Sequence, residues 1–308
     1  MPGAGYRLVS YSTREDRTPR AGILLRDAVT DARTVLGSAA GSVLDILRDW
    51  ENAGDRLDGF TGSRDSVSLD SVTLAAPLLY PGTLFCAGAN YWDHLHEMSE
   101  FIKQMTGKPP RVEKSAEPWF FIKTSAGSIV GPEADVRLPS FSTSVDWEAE
   151  LGVVIGRPTR NVAEADALRA VAGYVIVNDL SARDLMKREG SPFVYDWIGQ
   201  KCFADAAPMG PWLTPAAAVP NPENLAIRLS VNGAKKQESN TGQMVHSIRE
   251  QIAYLSRHVE LQPGDVIATG TPAGVGMPKG EFLKAGDEVV VEIEGLGRLK
   301  NRMVEDRA

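Results

Sequence analysis

The stretch Asp146-Trp147-Glu148-Ala149-Glu150-Leu151-Gly152-Val153-Val154-Ile155-Gly156 places a carboxylate at every second position and then runs into an apolar tail. Read as a strand, it alternates its side chains between two faces, so Asp146, Glu148 and Glu150 share one. Carboxylates that close raise one another's pKa unless a cation intervenes. A charged carboxylate entering a core without a partner is prohibitively costly. A divalent cation resolves both problems. A solvated acidic strand face is the plainer reading, and a second acid in a similar setting weighs against it. Ala172-Gly173-Tyr174-Val175-Ile176-Val177 is fully apolar, as in a strand covered on both sides, and it ends at Asn178-Asp179. Asp179 therefore stands at the carboxyl end of a buried strand, where a ligand can reach it. Glu148, Glu150 and Asp179 form an all-oxygen set without His or Cys. Such a set selects Mg²⁺ or Mn²⁺, with Ca²⁺ as a substitute, over Zn²⁺ or Cu²⁺.

His94 and Glu97 lie three residues apart in Asn90-Tyr91-Trp92-Asp93-His94-Leu95-His96-Glu97-Met98, hence on one face of a helix that Asn90 or Asp93 could cap. A carboxylate beside an imidazole fixes its tautomer and raises its basicity, which suits a base that deprotonates water. A solvated surface pair is the alternative. His96, His246 and His258 have no partner visible in the sequence. Lys201 matters through charge balance, because three carboxylates around a dication leave about one negative charge to neutralise. Thr269-Gly270-Thr271-Pro272-Ala273-Gly274-Val275-Gly276 is a turn of small residues whose N–H groups and hydroxyls could approach a bound carboxylate. The chain has no Gly-x-Gly-x-x-Gly dinucleotide spacing and no Gly-x-Ser-x-Gly nucleophile elbow.

These groups need a scaffold of many short strands. Strands are expected near Arg7 to Ser10, Ala21 to Leu25, Leu84 to Ala87, Trp119 to Lys123, Leu151 to Ile155, Gly173 to Val177, Leu225 to Val231, Asp265 to Thr269 and Glu288 to Ile293. Helices are expected over Ser42 to Trp50, from Asn90 to Gly107, and over Ser247 to His258, where Ser247 and Glu250 form a capping box. Ser181-Ala182-Arg183-Asp184 has the same capping pattern and should open another. The polar residues Arg111 to Pro118 read either as a mobile lid or as a surface excursion. Strands outnumber helices without alternating regularly, so the fold class is α+β. The Pro/Gly boundary Ala76 to Gly82 divides a small N-terminal domain, residues 1–75, from a catalytic domain, residues 76–308.

Of the 308 residues 43% are hydrophobic and 24% charged, ample for a soluble core. A net charge of −7 without any Lys/Arg-rich stretch argues against nucleic acid as a partner, and no apolar run reaches membrane-spanning length. Cys86 and Cys202 form no Cys-x-x-Cys, and Met1 to Leu25 has no basic start followed by an apolar core. The expectation is a cytoplasmic protein with reduced thiols.

Five motifs occur in order: Asn90-Tyr91-x-Asp93-His94; Asp146-Trp147-Glu148-x-Glu150-Leu151; Asn178-Asp179-x-Ser181-x-Arg183-Asp184; Lys201 with Gly210-Pro211-Trp212; and Thr269-Gly270-Thr271-Pro272-x-Gly274-Val275-Gly276. Together they resemble the fumarylacetoacetate hydrolase family over roughly residues 77 to 305. The resemblance implies a mixed β-roll catalytic domain, a Mg²⁺ or Mn²⁺ site and homodimers. It makes Glu148, Glu150 and Asp179 metal ligands, Lys201 a cation that meets the substrate, and Tyr91, Arg183 and Thr271 substrate contacts. The His94–Glu97 pair resembles the lid dyad of the acylpyruvate hydrolase and oxaloacetate decarboxylase branch. One departure is Met186, where many members carry Gln, so the substrate tail is expected to differ. The implied activity is hydrolysis of a carbon–carbon bond in a 2,4-dioxo acid. Decarboxylation or isomerisation of a 2-oxo acid at the same site is the alternative, and a non-catalytic ligand-binding role is the alternative of another class.

Overall fold

The computed structural model describes residues 5–190 and 192–306. Its largest sheet has twelve strands, and the apolar strand Val171–Asn178 lies near its middle, buried along its whole length. On one side it pairs antiparallel with Ala149–Ile155, which is flanked in turn by Val266–Ala268, Leu84–Gly88 and the edge strand Trp119–Lys123. On the other side come Ala207–Pro215, Tyr6–Ser12, Arg20–Leu25, Ala28–Asp31 and Val67–Ser68. A second, five-stranded sheet runs Ala234–Asn240, Ala226–Val231, Glu288–Ile293, Gly297–Glu305, Asp135–Leu138. The sheets are mixed: Val266–Ala268 runs parallel to Leu84–Gly88, and Gly297–Glu305 parallel to Asp135–Leu138. The α+β architecture expected from the sequence is the one observed.

The segment that unites the first 75 residues with the rest is Ala207–Pro215, one of two nine-residue strands absent from the sequence expectations, the other being Gly297–Glu305. Its Pro208, Pro211 and Pro215 lack the N–H that a ladder needs, which argues against a strand. The structure accommodates them because the register with Val171–Asn178 slips between Tyr174 and Ile176. Tyr6–Ser12 joins this strand at Leu8↔Leu213. One apolar cluster accordingly draws Leu8, Ile23 and Leu47 together with Val154, Val175 and Met209. We propose the division at 75/76 as one of topology, with the core shared across it.

Two helix expectations change. Ser42 to Trp50 is split: Val43–Arg48 opens with a Ser42/Asp45 capping box, and a second helix covers Trp50–Asp58. Ser181-Ala182 opens no helix; it is a two-residue strand paired with Val145–Asp146, followed by a 3₁₀ turn over Arg183–Leu185. The Ser181 hydroxyl donates to the carbonyl of Asp179, and the Asp184 carboxylate accepts from Ser142 and Thr143 instead of capping. The helix after Tyr91 runs Trp92–Thr106 and stops at the left-handed Gly107. Ile248–His258 carries the expected Ser247/Glu250 box. Residues 114–117 lie against that last helix through Lys114–Glu250 (2.5 Å), Ser115 Oγ to His246 Nε2 (2.9 Å) and Arg257–Glu117 (2.9 Å). Among the described residues no helix is long and apolar enough to cross a membrane.

Candidate active site

The expected single strand is broken at Trp147-Glu148, and Asp146 is not among the clustered oxygens that Glu148 and Glu150 form with Asp179. The N–H of Trp147 donates to Asp146 Oδ1 (2.8 Å), that of Glu148 to Asn178 Oδ1 (3.0 Å), and that of Ala149 to Gln237 Oε1 (2.9 Å). Side chains thus satisfy three consecutive donors that a regular ladder would use, and an unmade buried bond is what would otherwise forbid the break. Beyond it the register Ala149↔Asn178 resumes, and the Asp179 N–H donates to the Glu148 carbonyl (2.9 Å). That pairing brings Asp179 beside Glu148 and Glu150. The three buried carboxylates present oxygens that all lie within 4.8 Å of one another.

Cations fill the space around them. Lys201 Nζ stands 2.7 Å from Glu148 Oε2 and 2.8 Å from Asp179 Oδ2, and 4.7 Å above the centre of the Phe121 ring. Arg183 donates from Nε to Asp146 Oδ2 (2.9 Å) and from Nη2 to Glu148 Oε1 (2.5 Å). Lys123, which the sequence reading passed over, is fully buried; its ammonium meets Asp179 Oδ1 and donates to the carbonyls of Leu180 (2.8 Å) and Ala206 (2.7 Å). Its one local signal is the strand period. Trp119, Phe121 and Lys123 share a face, and Phe121 is the ring beneath Lys201.

Electrostatics separates the three acids. Burial pushes the Glu148 carboxyl up, but the charges of Lys201 and Arg183 outweigh it and hold it well below the usual carboxylate range. Burial, then Asp179 and Glu148, push the Glu150 carboxyl well above that range. Among the described residues its one direct hydrogen bond comes from the Gly270 N–H (2.9 Å), and no cation pairs with it. A divalent ion among these oxygens is the partner that Glu150 lacks, and hard oxygen donors suit Mg²⁺ or Mn²⁺. The residues present fit such an ion.

His94 is buried, on the helix whose Glu97 accepts from Gly274 of the turn that also donates to Glu150. Its Nδ1 faces Glu97 Oε2 at 3.5 Å without the alignment of a hydrogen bond, and among the described residues it has no other partner. Both Glu97 oxygens accept the Gly274 N–H (3.0 Å each). The helix N-cap is Tyr91, with no side-chain cap: Asn90 instead bridges His246 and the carbonyl of Thr269. Tyr91 itself is fully buried, its hydroxyl included. That hydroxyl has no partner of hydrogen-bonding geometry, although Thr269 is adjacent. The Thr271 hydroxyl accepts from Gln237 Nε2 (2.8 Å).

Residues 83–304 match the family described as fumarylacetoacetate (FAA) hydrolase, C-terminal. A Xenopus laevis protein named mitochondrial oxaloacetate tautomerase fahd2 is 38% identical over 309 aligned residues, covering 98% of this chain and 92% of its own. The Rattus norvegicus mitochondrial oxaloacetate tautomerase Fahd2a is 42% identical over 309, covering 99% and 93%. Among solved structures, maleylpyruvate hydrolase from Sphingobium sp. SYK-6, in complex with manganese(II) and pyruvate, superposes with a TM-score of 0.77 at 27% identity, covering 97% of this chain and 99% of its own. The cytoplasmic expectation is overturned by the relatives, which are named as mitochondrial proteins. The family match spans the two-carboxylate strand, Asp179, Lys201 and the 269–276 turn: this chain belongs to the fumarylacetoacetate hydrolase family.

Proposed function

We propose that this chain is a Mg²⁺- or Mn²⁺-dependent enzyme that interconverts the enol and keto forms of a small 2-oxo dicarboxylate, with oxaloacetate as the lead substrate. The observation that carries the reading is the charge of the buried site. Asp146, Glu148, Glu150 and Asp179 face Arg183, Lys123 and Lys201, which leaves one negative charge in excess. A dication turns the balance to one positive charge, a setting that binds an anion. Two relatives that align over nearly the whole chain are named oxaloacetate tautomerases.

Held by Glu148, Glu150 and Asp179, the ion would supply Lewis acidity towards the substrate's oxygens. Lys201 Nζ, already beside Glu148 and Asp179, stabilises the negative oxygen of the enolate, a preorganised charge of the kind that contributes most to such reactions. The Glu97 charge faces Nδ1 of His94 at 3.5 Å, and Nε2 is the nitrogen that would move the proton between the enol oxygen and carbon 3. Arg183, Thr271 and the Tyr91 hydroxyl are the proposed polar contacts to the substrate. The buried His94–Glu97 pair weighs against a non-catalytic ligand binder, which needs no base.

The same pair favours a second reading. A base oriented by a carboxylate can activate water, and hydrolysis of a 2,4-dioxo acid would need that step. In the test, purified protein with Mg²⁺ or Mn²⁺ is given oxaloacetate, whose enol absorbance and CO₂ release are followed separately, and a panel of acylpyruvates. Faster enol decay without CO₂ release is the expected result. Cleavage of an acylpyruvate at a higher kcat/KM would establish the hydrolase reading instead, and CO₂ release the decarboxylase one. Inertness towards all of them would defeat the enzyme reading.

The proposed partner besides substrate is a second copy of the chain. Trp119, Ile122, Tyr195, Trp197 and Ile198 are 37–68% exposed, with the Trp119–Trp197 ring centroids 4.9 Å apart and the Tyr195–Trp197 centroids 5.4 Å apart. Contiguous exposed apolar surface of this kind marks an association site. Light scattering is expected to give twice the chain mass, and Ile198→Glu to halve it. A monomeric wild-type protein would refute the dimer.

A further inference from the structure

The turn over residues 269–276 presents a row of backbone N–H groups, the geometry from which an anion-binding nest is made. The chain's own carboxylates occupy it. Gly270 donates to Glu150, Ala273 to Asp93 Oδ1 (3.3 Å), Gly274 to Glu97 and Gly276 to Asp146 Oδ1 (2.6 Å). One turn therefore touches a metal-ligand candidate and the acid of the His94–Glu97 pair. It is also rigidly mounted. Trp147 Nε1 donates to the Gly274 carbonyl (3.0 Å), and Gln237 Nε2 donates to Thr271 Oγ1 and the Pro272 carbonyl (2.8 Å each). Gly274 has φ +102°, and a Cβ there would stand 2.1 Å from the Lys236 carbonyl oxygen, so the turn is pressed onto the neighbouring strand.

Asp93 is the second connection from the Trp92–Thr106 helix to this turn. Its Oδ1 accepts the N–H of His94 (2.8 Å) and of Ala273, and its Oδ2 accepts the Ser239 hydroxyl (2.5 Å). Three donors from the helix, the turn and the Ala234–Asn240 strand converge on one carboxylate. Glu97 grips Gly274 one helical turn further on. A helix held at two points on consecutive turn residues cannot roll about its axis, whereas one held by Glu97 alone can swing at its N-terminus. His94 lies between the two points.

We propose that Asp93 is a positioning residue that fixes the first turn of this helix on the 269–276 turn and so sets where the His94 imidazole stands. The inference rests on the reading of His94–Glu97 as the proton-moving pair. The competing role is an acid in the first turn interacting with the helix dipole, which depends on charge. Positioning depends on hydrogen-bond geometry, which asparagine can keep: its oxygen accepts the His94 and Ala273 N–H groups, and its amide donates to Ser239.

The test compares Asp93→Ala, Asp93→Asn and Ser239→Ala in the full chain with Mn²⁺. Readouts are kcat and KM for oxaloacetate, Mn²⁺ affinity by calorimetry, and deuterium exchange of the amides of residues 94–98. Asp93→Ala is expected to lower kcat by about 10²-fold, the scale on which ångström misplacement acts, with KM and Mn²⁺ affinity unchanged and exchange accelerated. Asp93→Asn is expected to recover most of the loss. Wild-type kcat in Asp93→Ala, or an Asn variant as impaired as the Ala variant, would overturn the inference. If Asp93→Ala does not fold, Ser239→Ala decides: a lower kcat at constant KM supports the anchor, and an unchanged kcat removes it. Faster exchange in Asp93→Ala, in a protein whose wild type turns over no oxo acid, would retire the proposed reaction and leave the anchor standing.

Discussion

Asp179→Ala is expected to abolish metal-dependent turnover and, separately, to destabilise the folded chain by about 3–5 kcal/mol, the scale of a buried ion pair that loses one partner. Ligand removal alone would suggest an open site in an intact protein. The structure adds a second consequence, because the Asp179 carboxylate is shared by Lys123 and Lys201. Lys123 is fully buried, with only two carbonyl oxygens left to it when Asp179 is gone. Glu150→Gln is the contrasting variant. Among the described residues Glu150 has no cation partner and accepts one N–H, from Gly270, which the glutamine oxygen can still receive. It sits among like charges that raise its pKa, so neutralising it costs the fold little while removing a ligand. Calorimetric Mn²⁺ titration should show both variants losing affinity. Urea unfolding without metal should separate them, with Asp179→Ala alone shifted to lower denaturant. Wild-type Mn²⁺ affinity in Asp179→Ala would dismiss the ligand set, and equal unfolding midpoints for the two variants would dismiss the role given to Lys123.

That contrast reflects what a sequence can and cannot display. Glu148 and Glu150 are legible because strand periodicity is local, and Asp179 because an apolar run ends on it. Trp119–Lys123 was placed at its observed limits for the same reason. Lys123 stayed hidden because its meaning lies in Asp179, 56 residues on, and nothing near it announces a buried charge. The break at Trp147-Glu148 was invisible because the groups that satisfy it, Asn178 and Gln237, come 30 and 88 residues later. Ser181 shows the opposite failure. A capping pattern is a four-residue statement, and pairing of Ser181-Ala182 with Val145–Asp146 overrode it. The 269–276 turn was read as a cradle for a ligand's carboxylate. Its donors are there, but they hold Glu150, Asp93, Glu97 and Asp146, so the turn organises the site by binding the protein's own acids.

His94→Ala is expected to lower kcat by about 10²–10⁴-fold, the usual contribution of a positioned acid–base group, while leaving Mn²⁺ binding and substrate-analogue binding nearly intact. His94 is not among the clustered oxygen donors, and the ion pairs of Glu148 with Lys201 and Arg183 do not pass through it. Removing it should therefore leave the carboxylates in place. A group that acts only in the chemical step lowers kcat and kcat/KM together, and that is the pattern to look for, with oxalate affinity as the control for binding. Glu97→Gln should move in the same direction by a smaller factor. The Gln carbonyl oxygen can still accept the Gly274 N–H, so the helix stays docked, but the charge that faces Nδ1 of His94 at 3.5 Å is lost. The imidazole then keeps its place and loses part of its basicity. The two variants together separate position from proton affinity. A Glu97→Gln enzyme with wild-type kcat would show that the carboxylate does no more than dock the helix. A His94→Ala enzyme with wild-type kcat and a raised KM would remove the imidazole from proton transfer altogether, leaving Lys201, which touches both Glu148 and Asp179, as the next candidate.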